Sequence, residues 1–262
     1  MIPKLIHYSW FSGEPYPEYL RRCMDTWQNV LPDYTFMLWD AKKLVECNNI
    51  FANEAVLVKK WAFAADFVRL YAVYHYGGIW LDTDVEMFKS FDPFLSDGMF
   101  IGREYYVHVD RSGREYTMLT SHCFGAEKEH PFVKECLEYY EHRHFIRSHN
   151  ENLEQRLRYD MTIIPDLQMS LAQNYGFDNA NSNNNLQVLS NGVHVYPYQY
   201  FDQPGYTSMR DVVCIHRVAQ SWNPAYEGKS DFTNASTNVK RKTLGYRKMM
   251  LQRKLAKWIL NL

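Results

Sequence analysis

The chain has 262 residues and a formal net charge of −1; that length can bury a substantial core, and the near-neutral balance gives no electrostatic basis for a nucleic-acid partner. Hydrophobic residues make up 46% and aromatics 16%, with 20 Tyr and 7 Trp, a globular composition rich in flat amphipathic rings that suit sugars and bases as well as cores. Five cysteines, Cys23, Cys47, Cys123, Cys136 and Cys214, show no CxxC spacing, which argues against a Cys-rich zinc site or a disulfide framework and fits a reducing cytoplasm.

The opening MIPKLIHYSWF reads as a first β-strand (residues 3–10) rather than a leader peptide, and no run of about 18 apolar residues predicts a spanning helix. Residues 18–31 carry Leu20, Met24, Trp27 and Leu31 at helical spacing and stop at Pro32-Asp33. YTFMLW (34–39) predicts a second strand parallel to the first, which begins an α/β sheet. The pattern from Glu54 to Tyr76 predicts one continuous helix ended by Gly77-Gly78. Residues 79–85 then predict a short strand, with Trp80, Asp82 and Asp84 alternating onto one face.

Further on, residues 99–109 and 116–125 predict strands, 130–144 a helix from Pro131, and 151–159 a polar helix or lid. DNANSNNN (178–185) is a loop. Residues 193–196 and 212–216 predict late strands. After Asp231 there is no acidic residue, and Lys240, Arg241, Lys242, Arg247, Lys248, Arg253, Lys254 and Lys257 alternate with Leu244, Leu251, Leu255, Trp258 and Leu262 at helical spacing. Such a basic amphipathic tail predicts contact with an anionic membrane surface; a helix packed on the domain with a solvated basic face is the plainer reading. The expected organisation is one domain over 1–230 and a tail over 231–262.

Asp82-Thr83-Asp84 alone says little, because an Asp-x-Asp arises on the order of once by chance in a chain this long. Two carboxylates on one side could nevertheless share a hard divalent cation, Mn²⁺ or Mg²⁺, which keeps positions open for phosphate oxygens. Asp66 and Arg69 lie three apart on the preceding helix among apolar neighbours, so the pair is expected to be half-buried and to need partners. His216 reads either as a structural histidine or as a metal ligand. Trp10, Trp80 and Trp222 read either as core aromatics or as ring platforms. Asp166 reads either as a helix cap or as a carboxylate near a reacting carbon.

Three blocks resemble glycosyltransferase family 32, the DXD-motif sugar transferases: IPKLIHYSWFSG (2–13), FAADFVRLYAVYHYGGIWLDTDVE (63–86) and IHRVAQSW (215–222). FGAEKEHPF (124–132) and VYPYQYFDQP (195–204) are similar to small bacterial members that build capsular polysaccharide. The resemblance implies a GT-A fold, a Rossmann-like mixed sheet flanked by helices. It implies a retaining transfer of a hexose from a nucleotide-sugar donor, UDP-linked by expectation, to a saccharide or lipid-linked saccharide acceptor in surface polysaccharide synthesis. It also implies that Asp82, Asp84 and His216 hold the metal, and that Asp66 and Arg69 hold donor-sugar hydroxyls and phosphate. Ser221 and Trp222 would meet the diphosphate, and Ser9 and Trp10 the base. Where those members carry an Asn-containing stretch, this chain has Thr120-Ser121-His122-Cys123, which leaves the donor sugar open and makes Ser121 and His122 candidates to face it. A binding module without turnover and a metal-dependent nucleotide-sugar hydrolase are the alternatives. With the tail, the expected location is cytoplasmic, peripheral at the inner face of the plasma membrane.

Overall fold

β1 (Leu5–Ser9) is the strand against which the first half of the protein assembles. The structure is a computed structural model that describes residues 1–203 and 209–217. After β1 come α1 (Glu18–Val30), β2 (Thr35–Trp39), α2 (Ala41–Val45), α3 (Ile50–Leu57), α4 (Trp61–Tyr76), β3 (Gly78–Leu81) and β4 (Val85–Met87). The second half contributes β5 (Met99–Arg103), the pair β6 (His108–Val109) and β7 (Glu115–Tyr116), β8 (Leu119–Ala126), α5 (Pro131–Glu138), α6 (Gln155–Arg158) and α7 (Ile164–Asn174). It closes with β9 (Gln187–Val188), β10 (Val193–Tyr196), α8 (Tyr198–Phe201) and β11 (Cys214–His216).

Seven strands form a mixed sheet in the order β2-β1-β3-β8-β5-β10-β9. β1 runs parallel to both β2 and β3, β8 is antiparallel to β3 and β5, and β10 returns parallel to β5. Alternation along β3 sends Trp80 into the core under α3, α4 and α5, and Ile79 and Leu81 into the opposite core with Trp27, Phe91, Phe100 and Phe201. The sheet is therefore apolar on both faces, as a layered α/β domain requires.

Three expectations fail here. The predicted continuous helix from Glu54 to Tyr76 is two helices, because Lys59 adopts a left-handed φ of 58° and breaks the backbone ladder without any Gly or Pro to announce it. The predicted strand 79–85 ends at Leu81 and resumes at Val85, with Asp82-Thr83-Asp84 in a turn closed by the Val85 amide donating to the Asp82 carbonyl at 3.0 Å. The predicted helix 130–144 is also shorter, ending as α5 at Glu138.

β4 pairs with β11 in a separate antiparallel ribbon that sets His216 opposite Val85. α1 secures that ribbon: the Trp27 indole donates to the Val85 carbonyl at 2.7 Å, and the Met87 amide donates to the Thr26 hydroxyl at 2.9 Å. Among the described residues no helix is long and apolar enough to cross a membrane. The predicted tail 231–262, and the domain boundary before it, lie outside the described residues.

Candidate active site

Sheet pairing continues one step past β3, where the Asp82 amide donates to the His122 carbonyl at 2.9 Å. The chain then turns, presenting both aspartates at the strand's carboxyl end, where ligand sites of open α/β sheets gather. One ligand atom each from Asp82, Asp84 and His216 lies within 4.8 Å of the others. His216 reaches the turn through the β4–β11 ribbon and sets its Nε2 3.2 Å from Asp84 Oδ2. Burial alone would pull the His216 pKa down, but the charge and hydrogen bond of Asp84 prevail and lift it to about 9. Two carboxylates and an imidazole, all able to contract onto one centre, fit a divalent ion of the Mn²⁺ or Mg²⁺ kind.

Behind the turn lies the Asp66–Arg69 pair, more deeply buried than its sequence context suggested, at 7% and 4% exposure. Arg69 Nη2 sits 3.1 Å from Asp66 Oδ1 and 3.4 Å from Asp82 Oδ1. Its Nη1 donates to the Ser121 carbonyl at 2.6 Å and its Nε to the Ala65 carbonyl at 3.3 Å. All three guanidinium nitrogens thus have acceptors, so Arg69 braces the carboxylates rather than offering an open fork to phosphate. Burial pushes Asp66 up to about 7 against the pull of Arg69, with Asp82 adding to the rise. Asp66 also accepts from the backbone of Ile164, which brings the first turn of α7 to the site.

Trp80 is fully buried; of its two readings the structure bears out the core aromatic and not the ring platform that would contact a nucleotide. Its indole donates to Asp82 Oδ1 at 2.7 Å, and the Arg69 guanidinium lies 5.4 Å from the centre of its ring. It acts on the site through Asp82. Ser9 and Trp10 are partly exposed at the end of β1, and the Trp10 ring leans on Tyr16 with 4.8 Å between centroids while its indole donates to the Glu14 carbonyl at 2.6 Å. Asp166 lies in the first turn of α7, which has no side-chain cap; it is not the cap, and partial burial raises its pKa. Ser221 and Trp222 lie outside the described residues.

His122, a candidate to face the donor sugar, is buried at 5% exposure. Its ring stacks on His216 with 4.0 Å between centroids, and its Nε2 donates to the Phe201 carbonyl at 2.8 Å. Two further neighbours were not singled out in the sequence. Tyr19, on the inner side of α1, is close enough for Asp84 to help burial push its phenol up to about 12. Asp202, 2% exposed, lies with His122 and His216 in a second group whose ligand atoms are within 4.8 Å of one another. A lone Asp in a loop carries no pattern by which to find it.

The mixed α/β sheet thus brings an Asp-x-Asp turn, a histidine from a distant strand and a buried Asp–Arg pair together at the carboxyl end of β3. Residues 17–101 match the family described as glycosyltransferase sugar-binding region containing DXD motif. Among curated relatives, inositol phosphoceramide mannosyltransferase 1 of Schizosaccharomyces pombe is 27% identical over 160 residues, 56% of this chain and 46% of its own length. Mannosyl phosphorylinositol ceramide synthase SUR1 of Saccharomyces cerevisiae is 24% identical over 150 residues, covering 54% of this chain and 35% of its own. The chain thus spans less than half the length of either. Among solved structures, the PaToxG glycosyltransferase aligns with a TM-score of 0.44 at 18% identity, over 66% of this chain and 69% of its own. The galactosyltransferase LgtC aligns at 0.36 and 15%, over 89% and 95%.

Proposed function

We propose that the protein is a metal-dependent, retaining glycosyltransferase that moves a hexose from a nucleotide-sugar donor to a saccharide or lipid-linked saccharide acceptor. The convergence of Asp82, Asp84 and His216 beside the Asp66–Arg69 pair carries this reading. A bound divalent ion would be held by Asp82, Asp84 and His216 and would neutralise charge growing on the leaving diphosphate. Trp80 and Arg69 fix one oxygen of Asp82, leaving its other oxygen to face the ligand. Asp66, held by Arg69 and the start of α7, would accept from donor-sugar hydroxyls. Ser9 and Trp10 lie at the strand end where the base would rest, and Trp222 and Ser221 are assigned to the diphosphate on the resemblance alone.

The relatives named as inositol phosphoceramide mannosyltransferases support mannose as one candidate sugar and a glycolipid as one acceptor class. UDP-linked hexose and a capsular role rest on the likeness to bacterial members. Cytoplasmic location at the inner membrane face rests on the basic tail. Deleting residues 232–262 should lower binding to anionic liposomes; an unchanged bound fraction would remove that attachment.

The transferase reading is tested by incubating the full chain with Mn²⁺ and a panel of UDP- and GDP-sugars. Slow release of nucleoside diphosphate and free sugar from one donor is expected, with turnover and donor binding abolished in Asp84→Ala. Turnover that persists in that variant after metal is stripped would sink the site assignment. Donor binding without any turnover, even with saccharide acceptors, would favour the binding-module reading.

A further inference from the structure

His216 stands between two groups of possible ligands that cannot both claim it. On one side are Asp82, half-buried, and Asp84, 7% exposed; on the other are His122 and Asp202, at 5% and 2%. The stacking of His122 on His216, with rings inclined by only 21°, decides between them. Imidazole lone pairs lie in the ring plane, so two nearly parallel rings 4.0 Å apart send theirs side by side rather than toward one ion between them. His122 has also committed Nε2 to the Phe201 carbonyl at 2.8 Å, and Asp202 Oδ2 accepts from the Tyr105 amide at 2.7 Å. The inner group is therefore a poor chelate and a good wall.

The wall is tied to His216 from several directions. The His216 amide donates to the Asp202 carbonyl at 3.2 Å, and the Gln203 side chain donates to the His216 carbonyl. The strand holding His122 is the one that accepts the Asp82 amide, so both sides of the metal group are referenced to the same backbone. A flat ring stacked on the His216 imidazole limits its rotation, and the Asp202 carboxylate lies close enough to act on its charge. Carboxylates and walls of this sort set how well a histidine ligand is presented.

We propose that Asp202 and His122 are positioning residues that hold the His216 imidazole toward Asp82 and Asp84, setting the affinity for the divalent ion without touching it. The proposal rests on the metal-dependent reading above, and its test is arranged so that the two can fail separately. Mn²⁺ binding to the full chain is followed by the electron paramagnetic resonance of free Mn²⁺, with saturating UDP, independently of turnover. Asp202→Asn keeps an oxygen for the Tyr105 amide and removes the charge; His122→Gln keeps a donor for the Phe201 carbonyl and removes the ring.

Each variant should raise the Mn²⁺ dissociation constant about tenfold or more, within the range for outer partners of ligands. Melting in chelator should not fall. Donor hydrolysis should recover toward the wild-type rate at high Mn²⁺, a change in the metal requirement with little change in the saturated rate, whereas Asp84→Ala should not recover. Wild-type binding that is unaltered in both variants overturns the positioning roles and leaves the transferase reading intact. Absence of Mn²⁺ binding in the wild type, with UDP present, overturns both. Should Asp202→Asn fail to fold, His122→Gln decides alone.

Discussion

Arg69 donates from three nitrogens to groups that would otherwise face one another across a dry interior: Asp66, Asp82 and the carbonyls of Ser121 and Ala65. Removing it strands two carboxylates, and breaking a buried ion pair from one side costs about 3 kcal/mol or more. Arg69→Met should therefore lower unfolding stability in urea by about that amount and abolish donor hydrolysis. Arg69→Lys, which keeps the charge but not the planar fork, should fall between the two. A fully stable Arg69→Met protein would contradict the bracing role. Gln168 poses the opposite case: it is fully buried on α7, and neither atom of its amide has a hydrogen-bond partner in the structure. Replacing an unsatisfied buried amide by an apolar side chain of similar shape is neutral or favourable by about 1 kcal/mol, so Gln168→Met should hold or raise the melting temperature. A clear drop would mean that bound water or ligand satisfies the amide.

At the scale of elements, the α4–β3 junction joins the helix carrying Asp66 and Arg69 to the Asp82–Asp84 turn. Gly77 and Gly78 have φ of 66° and 107°, and a Cβ on Gly78 would stand 2.4 Å from the Leu5 carbonyl oxygen. Gly78→Ala combines that clash with a backbone conformation that costs of order 1–3 kcal/mol outside glycine. It should reduce stability by about 3 kcal/mol and weaken Mn²⁺ binding by displacing Asp82; wild-type values for both would show that β1 can yield. This junction was legible in the sequence because a double glycine after an apolar helical run has one local meaning, as were β1, α1 and β2 from their own periodicity. The split between α3 and α4 was not, because Lys59 turns left-handed through tertiary context and carries no chemical mark. The Asp82–Asp84 turn was misread as strand for a related reason: alternation of Trp80, Asp82 and Asp84 satisfies a period of two, yet Asp84 owes its place to the turn and to a ribbon whose other strand begins 130 positions after Asp84, at Cys214. Residues on local patterns that converge at this turn could be named in advance, whereas Tyr19 and Asp202 join them only through packing of distant segments.

For the molecule as a whole, the central strand offers a pH response that can be isolated. His7 is fully buried in β1, where Nε2 donates to the Gly77 carbonyl at 2.8 Å and Nδ1 accepts from the Trp39 indole at 3.2 Å. That arrangement joins the β2 and β3 sides of the sheet and requires the neutral ring, since a proton on Nδ1 would oppose the indole donor. Burial lowers its pKa from 6.5 to about 4, with the Gly77 carbonyl opposing and Lys43 adding to the fall. Between those values the unfolded chain binds a proton that the native protein refuses, so this contribution to stability is complete above 6.5 and is lost as pH falls toward about 4. The gap corresponds to about 3 kcal/mol. Asp66 and Asp202, raised from 3.8 to about 7, act with the opposite sign, because there the native state binds the extra protons and their contribution falls as pH rises. The overall profile therefore mixes both, and the comparison must be with His7→Gln, whose amide can donate to the Gly77 carbonyl but does not titrate. Measured by urea unfolding in chelator, the stability of the wild type relative to His7→Gln should increase by about 3 kcal/mol from pH 4 to pH 7. A difference constant across that range would place the native His7 proton equilibrium at its unfolded value and remove the neutral ring from the account of how β1 holds the sheet together.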